Sequence, residues 1–193
     1  MRPITVVVLA AGASSRLGRP KQLVVWRGET LVHRAARIAV EADIGAVRVV
    51  TGLLPDEVAG SVSDLPVTCV HNTQAHEGLS SSIRRGVEGL DTNVLLLTCD
   101  QPLLTAEHLR EMADTRRFTQ ASIIASSYEG VVGVPTLVAH ELLPELRALQ
   151  GDQGARALFE GRAVEAVVFD GGELDVDTEE DVIRLRERAV TGY

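Results

Sequence analysis

Lysine is nearly absent from this chain: of 19 basic residues one is lysine, Lys21, and all the others are arginine. Positive charge is scarce in general, because 27 acidic residues leave a net charge of −8. Phosphate backbones are held by basic stripes, and this chain has only a basic loop. A nucleic-acid partner is therefore excluded, and any anionic ligand must be small. Cysteine is limited to Cys69 and Cys99, each at the end of an apolar run, a setting for buried thiols rather than a disulfide. No apolar run approaches the ~18 residues of a membrane span. Behind Arg2, the stretch Ile4 to Ala11 imitates a short signal peptide. It is rich in β-branched residues, however, and runs straight into a basic loop from which cleavage would separate it. A cytoplasmic protein with no membrane contact is expected.

What the chain does have is concentrated in residues 9 to 23, Leu-Ala-Ala-Gly-Ala-Ser-Ser-Arg-Leu-Gly-Arg-Pro-Lys-Gln-Leu. Gly12, Ala13, Ser14 and Ser15 allow backbone N–H groups to approach a ligand closely, and Arg16, Arg19 and Lys21 add positive charge. This composition suits phosphate. A Walker A loop is excluded by its spacing, and a dinucleotide fingerprint by Ser14 where a second glycine is required. Elsewhere the chain uses arginine, so a lone lysine here matches a site that needs a compact point charge between phosphate oxygens.

With 193 residues the chain reads as one domain, long enough for a continuous core. Apolar strand-like runs alternate with helical patterns, which predicts an α/β sandwich with a mostly parallel sheet and helices on both faces. Thr30 is expected to cap the first helix and Gly45 to end it. The one antiparallel strand is expected within 131 to 138, where Gly133 and Pro135 predict a sheet edge or a close backbone approach.

Further candidates lie on this frame. Gly78-Leu79-Ser80-Ser81-Ser82 opens a helix with a glycine and three hydroxyls, a setting for an anion or a carbonyl acceptor or for simple serine capping. His76, just before it, reads as a solvated loop residue. Asp100 follows the continuous apolar run Val94 to Thr98, so it stands at the carboxyl end of a central strand, where a carboxylate can hold Mg²⁺ against nucleotide phosphates. Asp152 reads as a helix cap ahead of Arg156. Asp177 with Glu180 fits a capping box, while alternation puts Asp175 and Asp177 on one side, suited to a cation.

Leu9 to Lys21 resembles the signature of the nucleotidyltransferases related to the molybdenum-cofactor guanylyl- and cytidylyltransferases, with Leu17 at a position that is usually Met. The segments Gly78 to Ser82, Cys99 to Leu104 and Gly151 to Arg156 are similar to those of the cytidylyl branch, and Asp175 to Asp181 to a family element in which Glu179 replaces a proline. The resemblance runs from Val6 to about Leu185. It implies a Rossmann-like, nucleotide-diphospho-sugar-transferase-like fold whose N-terminal half holds nucleotide and whose C-terminal half holds the acceptor. It implies Arg16, Lys21 and Asp100 as catalytic residues, and Leu9, Ala10, Ala11, Gly12, Ala13, Lys21, Gly78, Ser80 and Ser81 as nucleotide-binding. Mg²⁺ would rest on Asp100 and Asp177, and the acceptor on Gly133, Pro135 and Arg156. The implied partners are CTP or another nucleoside triphosphate, a phosphorylated pterin-type cofactor, and transiently a recipient molybdoenzyme. Another phosphorylated acceptor, GTP as donor, or a non-catalytic cofactor-delivery role remain open at this point.

Overall fold

Strand β1 (Ile4–Ala10) is buried at every residue, as a continuous apolar run must be when both faces of a parallel strand are covered. The computed structural model in which it lies describes residues 2–191, with side chains through 188. After β1 come a basic loop and a two-stranded hairpin, β2 (Val25–Trp26) and β3 (Glu29–Thr30). The chain continues through α1 (Leu31–Ala42), β4 (Gly45–Thr51), α2 (Pro55–Ser61), β5 (Val67–His71), α3 (Leu79–Gly86) and β6 (Asn93–Thr98). It ends with α4 (Ala106–Phe118), β7 (Ile123–Tyr128), β8 (Val131–Val138), α5 (Leu143–Ala148), β9 (Val164–Val168) and α6 (Glu179–Thr191). Seven strands make one sheet in the order β5-β4-β1-β6-β8-β7-β9.

All of these strands run one way except β8, which pairs antiparallel with both β6 and β7. The expected antiparallel strand is therefore present, but the expectation of an edge is corrected: β8 lies inside the sheet. Its proline is tolerated there because the β7–β8 register shifts between Ala125 and Ser126, so no ladder bond is required of the Pro135 nitrogen.

Alternation along β1 divides the core. Val6 and Val8 face α1, α2 and α4, while Val7 and Leu9 face α3 and α5. A third, smaller cluster joins Leu17 of the basic loop, Val24, Trp26 and Leu31 to Val176, Val182 and Leu185 of the C-terminal segment. The Trp26 indole N–H donates to the Leu185 carbonyl at 3.0 Å, which fastens the hairpin to α6. Thr30 caps α1 as expected, accepting from the His33 amide. The stop differs from the expectation. Asp43, in the left-handed region, closes the helix, whereas Gly45 opens β4, where a Cβ would lie 1.9 Å from the Ile4 carbonyl oxygen. Cys99 is buried, but Cys69 is exposed on the edge strand β5, so burial holds for only one thiol; both are free. No helix of the described residues is long and apolar enough to cross a membrane.

Candidate active site

In the sheet, β1 has β4 on one side and β6 on the other, so the chain reverses its direction of winding between β1 and β6. Ligands of open α/β sheets bind in the crevice that such a reversal opens at the carboxyl ends of the strands. A cavity of about 470 Å³ lies there. One end is formed by Gly12, Ala13, Arg16, Lys21, Asp100 and Asp177, the other by Ala75, His76, Gly78, Leu79, Ser82 and Asp152. A larger depression of about 640 Å³ along α4 shares no lining residue with it.

The basic loop is held by its own polar side chains. The Ser14 carbonyl accepts from the amides of Leu17 and Gly18, and Ser14 Oγ accepts from the Lys21 amide at 3.0 Å. Buried Gln22 donates from Nε2 to the Gly12 carbonyl at 2.6 Å. Leu17 anchors the loop in the third core cluster, and the same cluster holds Val176. The shared cluster brings the N-terminal basic loop against the C-terminal carboxylates.

Lys21 Nζ is the centre of this arrangement, 2.5 Å from Asp100 Oδ2 and 2.7 Å from Asp177 Oδ1. Burial opposes the lysine's charge, but the pull and hydrogen bonds of Asp100 and then of Asp177 outweigh it, so its pKa is raised. Arg16, largely exposed, reaches the other oxygen of Asp177 at 3.2 Å. Asp175 stands close by, its carboxyl pushed up to about 7 by burial and then by the charge of Asp100. Burial and the same neighbouring charge push the Cys99 thiol up to about 12.

The carboxylate of Asp177 is free for this contact because another pair does the capping. Thr178 and Asp181 form the reciprocal box at the start of α6: Asp181 Oδ2 accepts from the Thr178 amide at 2.8 Å, and the Asp181 amide donates to Thr178 Oγ1 at 3.3 Å. The expected box of Asp177 and Glu180 is thereby corrected by one residue. Asp152 is corrected as well, since Gly154 stands at the cap of the Ala155–Leu158 turn and no side chain caps it.

The donor set suits a hard divalent cation. Asp100 Oδ1 is buried without a hydrogen-bond partner, an oxygen prepared for a ligand the chain does not supply. No group of three or more His, Cys, Asp or Glu among the described residues forms a ready cage. Two carboxylates completed by substrate oxygens is the usual way to hold Mg²⁺.

Of the three serines, Ser82 lines the cavity. Ser80 Oγ accepts from Arg84, Ser81 Oγ donates to the Gly78 carbonyl, and the amide of buried Asn72 donates to both Ser81 Oγ and Ser82 Oγ. Leu9, Ala11, Gly12 and Ala13 line the cavity, while Ala10 is buried in the sheet behind them. Gly133 lies against Tyr128, where a Cβ would come 3.1 Å from the phenol oxygen, and the charge of Arg156 is felt at that phenol. Pro135 turns inward, its carbonyl accepting from Ser126. Sequence reasoning missed Gln22, Asn72 and Tyr128, which arrange other groups and carry no motif. It also read His76 as merely solvated, although the residue lines the cavity.

Residues 6–167 match the MobA-like NTP transferase domain, and the chain belongs to that family of nucleotidyltransferases. It is similar to the molybdenum cofactor cytidylyltransferase of Escherichia coli, 28% identical over 97% of this chain and 98% of that one. It is likewise similar to a protein of Paenarthrobacter nicotinovorans named nicotine blue oxidoreductase, 30% identical over 94% and 96%. Among solved structures, Rv0371c of Mycobacterium tuberculosis in complex with manganese superposes with a TM-score of 0.80 at 27% identity, over 96% of this chain and 98% of that one. The mostly parallel α/β fold of this chain matches that structure.

Proposed function

We propose that this protein transfers a CMP group from CTP to the terminal phosphate of a molybdopterin-type cofactor and releases pyrophosphate. The observation that carries the reading is the lone lysine held between Asp100 and Asp177 at the switch-point crevice. The family supports nucleotidyl transfer, and the name of the Escherichia coli relative supports the donor and the acceptor.

In this reading the triphosphate enters at the end that holds Lys21 and Arg16. An oxygen of the acceptor phosphate attacks the α-phosphorus in line, and the bond from that phosphorus to its bridging oxygen breaks. Pyrophosphate departs with the electron pair, and Lys21 with Arg16 stabilises the charge that gathers on it. Gly12 supports a close approach of phosphate, because a Cβ there would meet no protein atom and the chain itself has no steric need of glycine. The backbone of Leu9 to Ala13 and the Gly78 to Ser81 turn frame the nucleotide, and Gly133, Pro135 and Arg156 frame the acceptor. Mg²⁺ bound by Asp100 and Asp177 would supply charge neutralisation on the phosphate oxygens. The whole chain acts as one domain in the cytoplasm and meets a recipient molybdoenzyme at delivery.

Pyrophosphate release with each of the four nucleoside triphosphates, with and without molybdopterin-bound molybdenum, tests this. The expected result is release with CTP that depends on the acceptor. Better use of GTP would move the protein to guanylyl transfer. No release with any donor, together with retained cofactor binding, would make it a delivery protein.

A further inference from the structure

The end of the cavity away from Lys21 carries a solvent-exposed carboxylate that no other side chain of the described residues engages. Asp152 lines that end with Ala75, His76, Gly78, Leu79 and Ser82. Among the described residues no hydrogen bond or ion pair engages its side chain, and the capping role its sequence position suggests is not taken. Its place is nonetheless fixed. The Gly151 carbonyl accepts from the Ser80 amide at 3.1 Å, and the turn is closed by the Gln153 amide on the Gln150 carbonyl at 3.2 Å. Gly78, in the left-handed region, lies so close beneath that a Cβ would come within 2.5 Å of the Gly151 oxygen and 2.6 Å of Asp152 Oδ1. This contact sets the Asp152 loop on the first turn of α3.

The two ends of the cavity therefore differ in what they accept. Phosphates go to the cations, and a bare carboxylate at the far end repels them. His76 and Leu79, both exposed, line that end and offer a heterocycle an imidazole and an apolar side chain. A carboxylate only accepts hydrogen bonds, so the edge of the heterocycle it meets must donate.

We infer that Asp152 is a specificity-determining residue for the donor base, accepting a hydrogen bond from the exocyclic amino group of cytosine and rejecting uracil, whose corresponding atom is a carbonyl oxygen. The inference rests on the nucleotidyl-transfer reading above and extends it to a residue that carries the discrimination. A polar site that pairs with one base leaves its own group unpaired, or opposed to a like acceptor, when the other base binds.

The test is equilibrium binding of CTP, UTP and dCTP to the wild type, Asp152→Asn and Asp152→Ala, without acceptor and in the presence of Mn²⁺, with thermal unfolding recorded on each preparation. The wild type should favour CTP over UTP by about 10- to 100-fold, the range for a charged hydrogen bond. Asp152→Ala should lose most of that ratio through weaker CTP binding. Asp152→Asn, whose amide donates as well as accepts, should bind UTP better than the wild type does. A variant that weakens CTP and UTP by the same factor, or leaves the ratio intact, overturns the inference, as does a wild type that binds both alike. If dCTP binds wild type as weakly as CTP binds Asp152→Ala, the carboxylate reads the ribose instead and the base assignment falls. A wild type that binds no triphosphate refutes the transfer reading itself. One that prefers GTP refutes only its CTP part, and Asp152 is then judged by GTP against ITP, which lacks the amino group.

Discussion

The amide of Val176 donates to the carbonyl of Asp100 at 3.0 Å, which pins the segment carrying Asp175 and Asp177 to the end of the central strand β6. Because that bond is between backbones, the alignment of the two acidic segments survives changes of their side chains. Substitutions of Asp100 and Asp177 therefore report on chemistry more than on the alignment of these two segments.

Asp100→Asn should lower pyrophosphate release by at least about 10²-fold, the scale for losing one electrostatic contact to the transition state, with an unchanged far-ultraviolet circular dichroism spectrum. Turnover within a factor of three of wild type at saturating metal would remove Asp100 from the metal site.

Lys21→Arg keeps the charge but replaces a compact ammonium with a wider fork, so the catalytic constant should fall by at least about tenfold. A loop residue would normally change stability by less than about 0.5 kcal/mol. The side chain of Lys21 is only 17% exposed between two carboxylates, so a loss of about 1–3 kcal/mol is expected instead. In Lys21→Met no ammonium competes for the oxygens of Asp100 and Asp177, and affinity for Mn²⁺ without nucleotide should rise by at least about tenfold. Paramagnetic titration of free Mn²⁺ measures it, and an equal or weaker affinity would contradict the shared-oxygen arrangement.

Ser81 and Ser82 should separate. Ser82→Ala removes a hydroxyl from the cavity wall together with one hydrogen bond from Asn72, and should weaken triphosphate binding by about 3- to 10-fold while lowering stability by less than about 1 kcal/mol. Ser81→Ala removes the hydroxyl that links the Gly78 carbonyl to the Asn72 amide, leaving that amide with Ser82 alone, and should lower stability by about 1 kcal/mol. Chemical denaturation and nucleotide titration on both variants check the split. Equal effects on binding would mean that the Ser81 hydroxyl also meets the ligand.

Glu29 gives the fold a defined acid sensitivity. Burial alone would raise its pKa, but hydrogen bonds from Arg37, His33 and Arg34 outweigh that and hold the carboxyl down at about 2. A depressed carboxylate contributes its full stability above its unfolded pKa, about 4.3 for glutamate, and loses it as the pH falls through the folded value. Glu29→Gln should therefore cost about 1–2 kcal/mol at pH 7, a figure reduced for partial solvation. The gap from wild type should close between about pH 4.3 and pH 2. A gap that stays constant across that range in denaturation curves would refute the linkage.

The thiols should be told apart by a disulfide reagent. Exposed Cys69 reacts in the native protein, whereas Cys99, buried and pushed up to about 12, reacts only after unfolding. Two thiols titrating at one rate in the native state would be inconsistent with this burial.

The sequence by itself determined much of this protein. The buried run of β1, the small-residue loop after it and the central strand leading to Asp100 follow from local composition and period, which a linear reading detects. The same is true of the Thr30 cap. Tertiary structure decided the rest, because it depends on contacts between distant segments. That β8 lies inside the sheet, despite Pro135, depends on a register shift against β7. That Lys21 meets Asp100 and Asp177 depends on the apolar cluster in which Leu17 and Trp26 pack against Val176 and Leu185. Which acid caps α6 was settled by one residue of phase: Thr178 with Asp181 took the box, and Asp177 was left to face the lysine. Sequence period assigns a residue to a face, but only packing decides which of two equally placed carboxylates satisfies the backbone and which is left for a ligand.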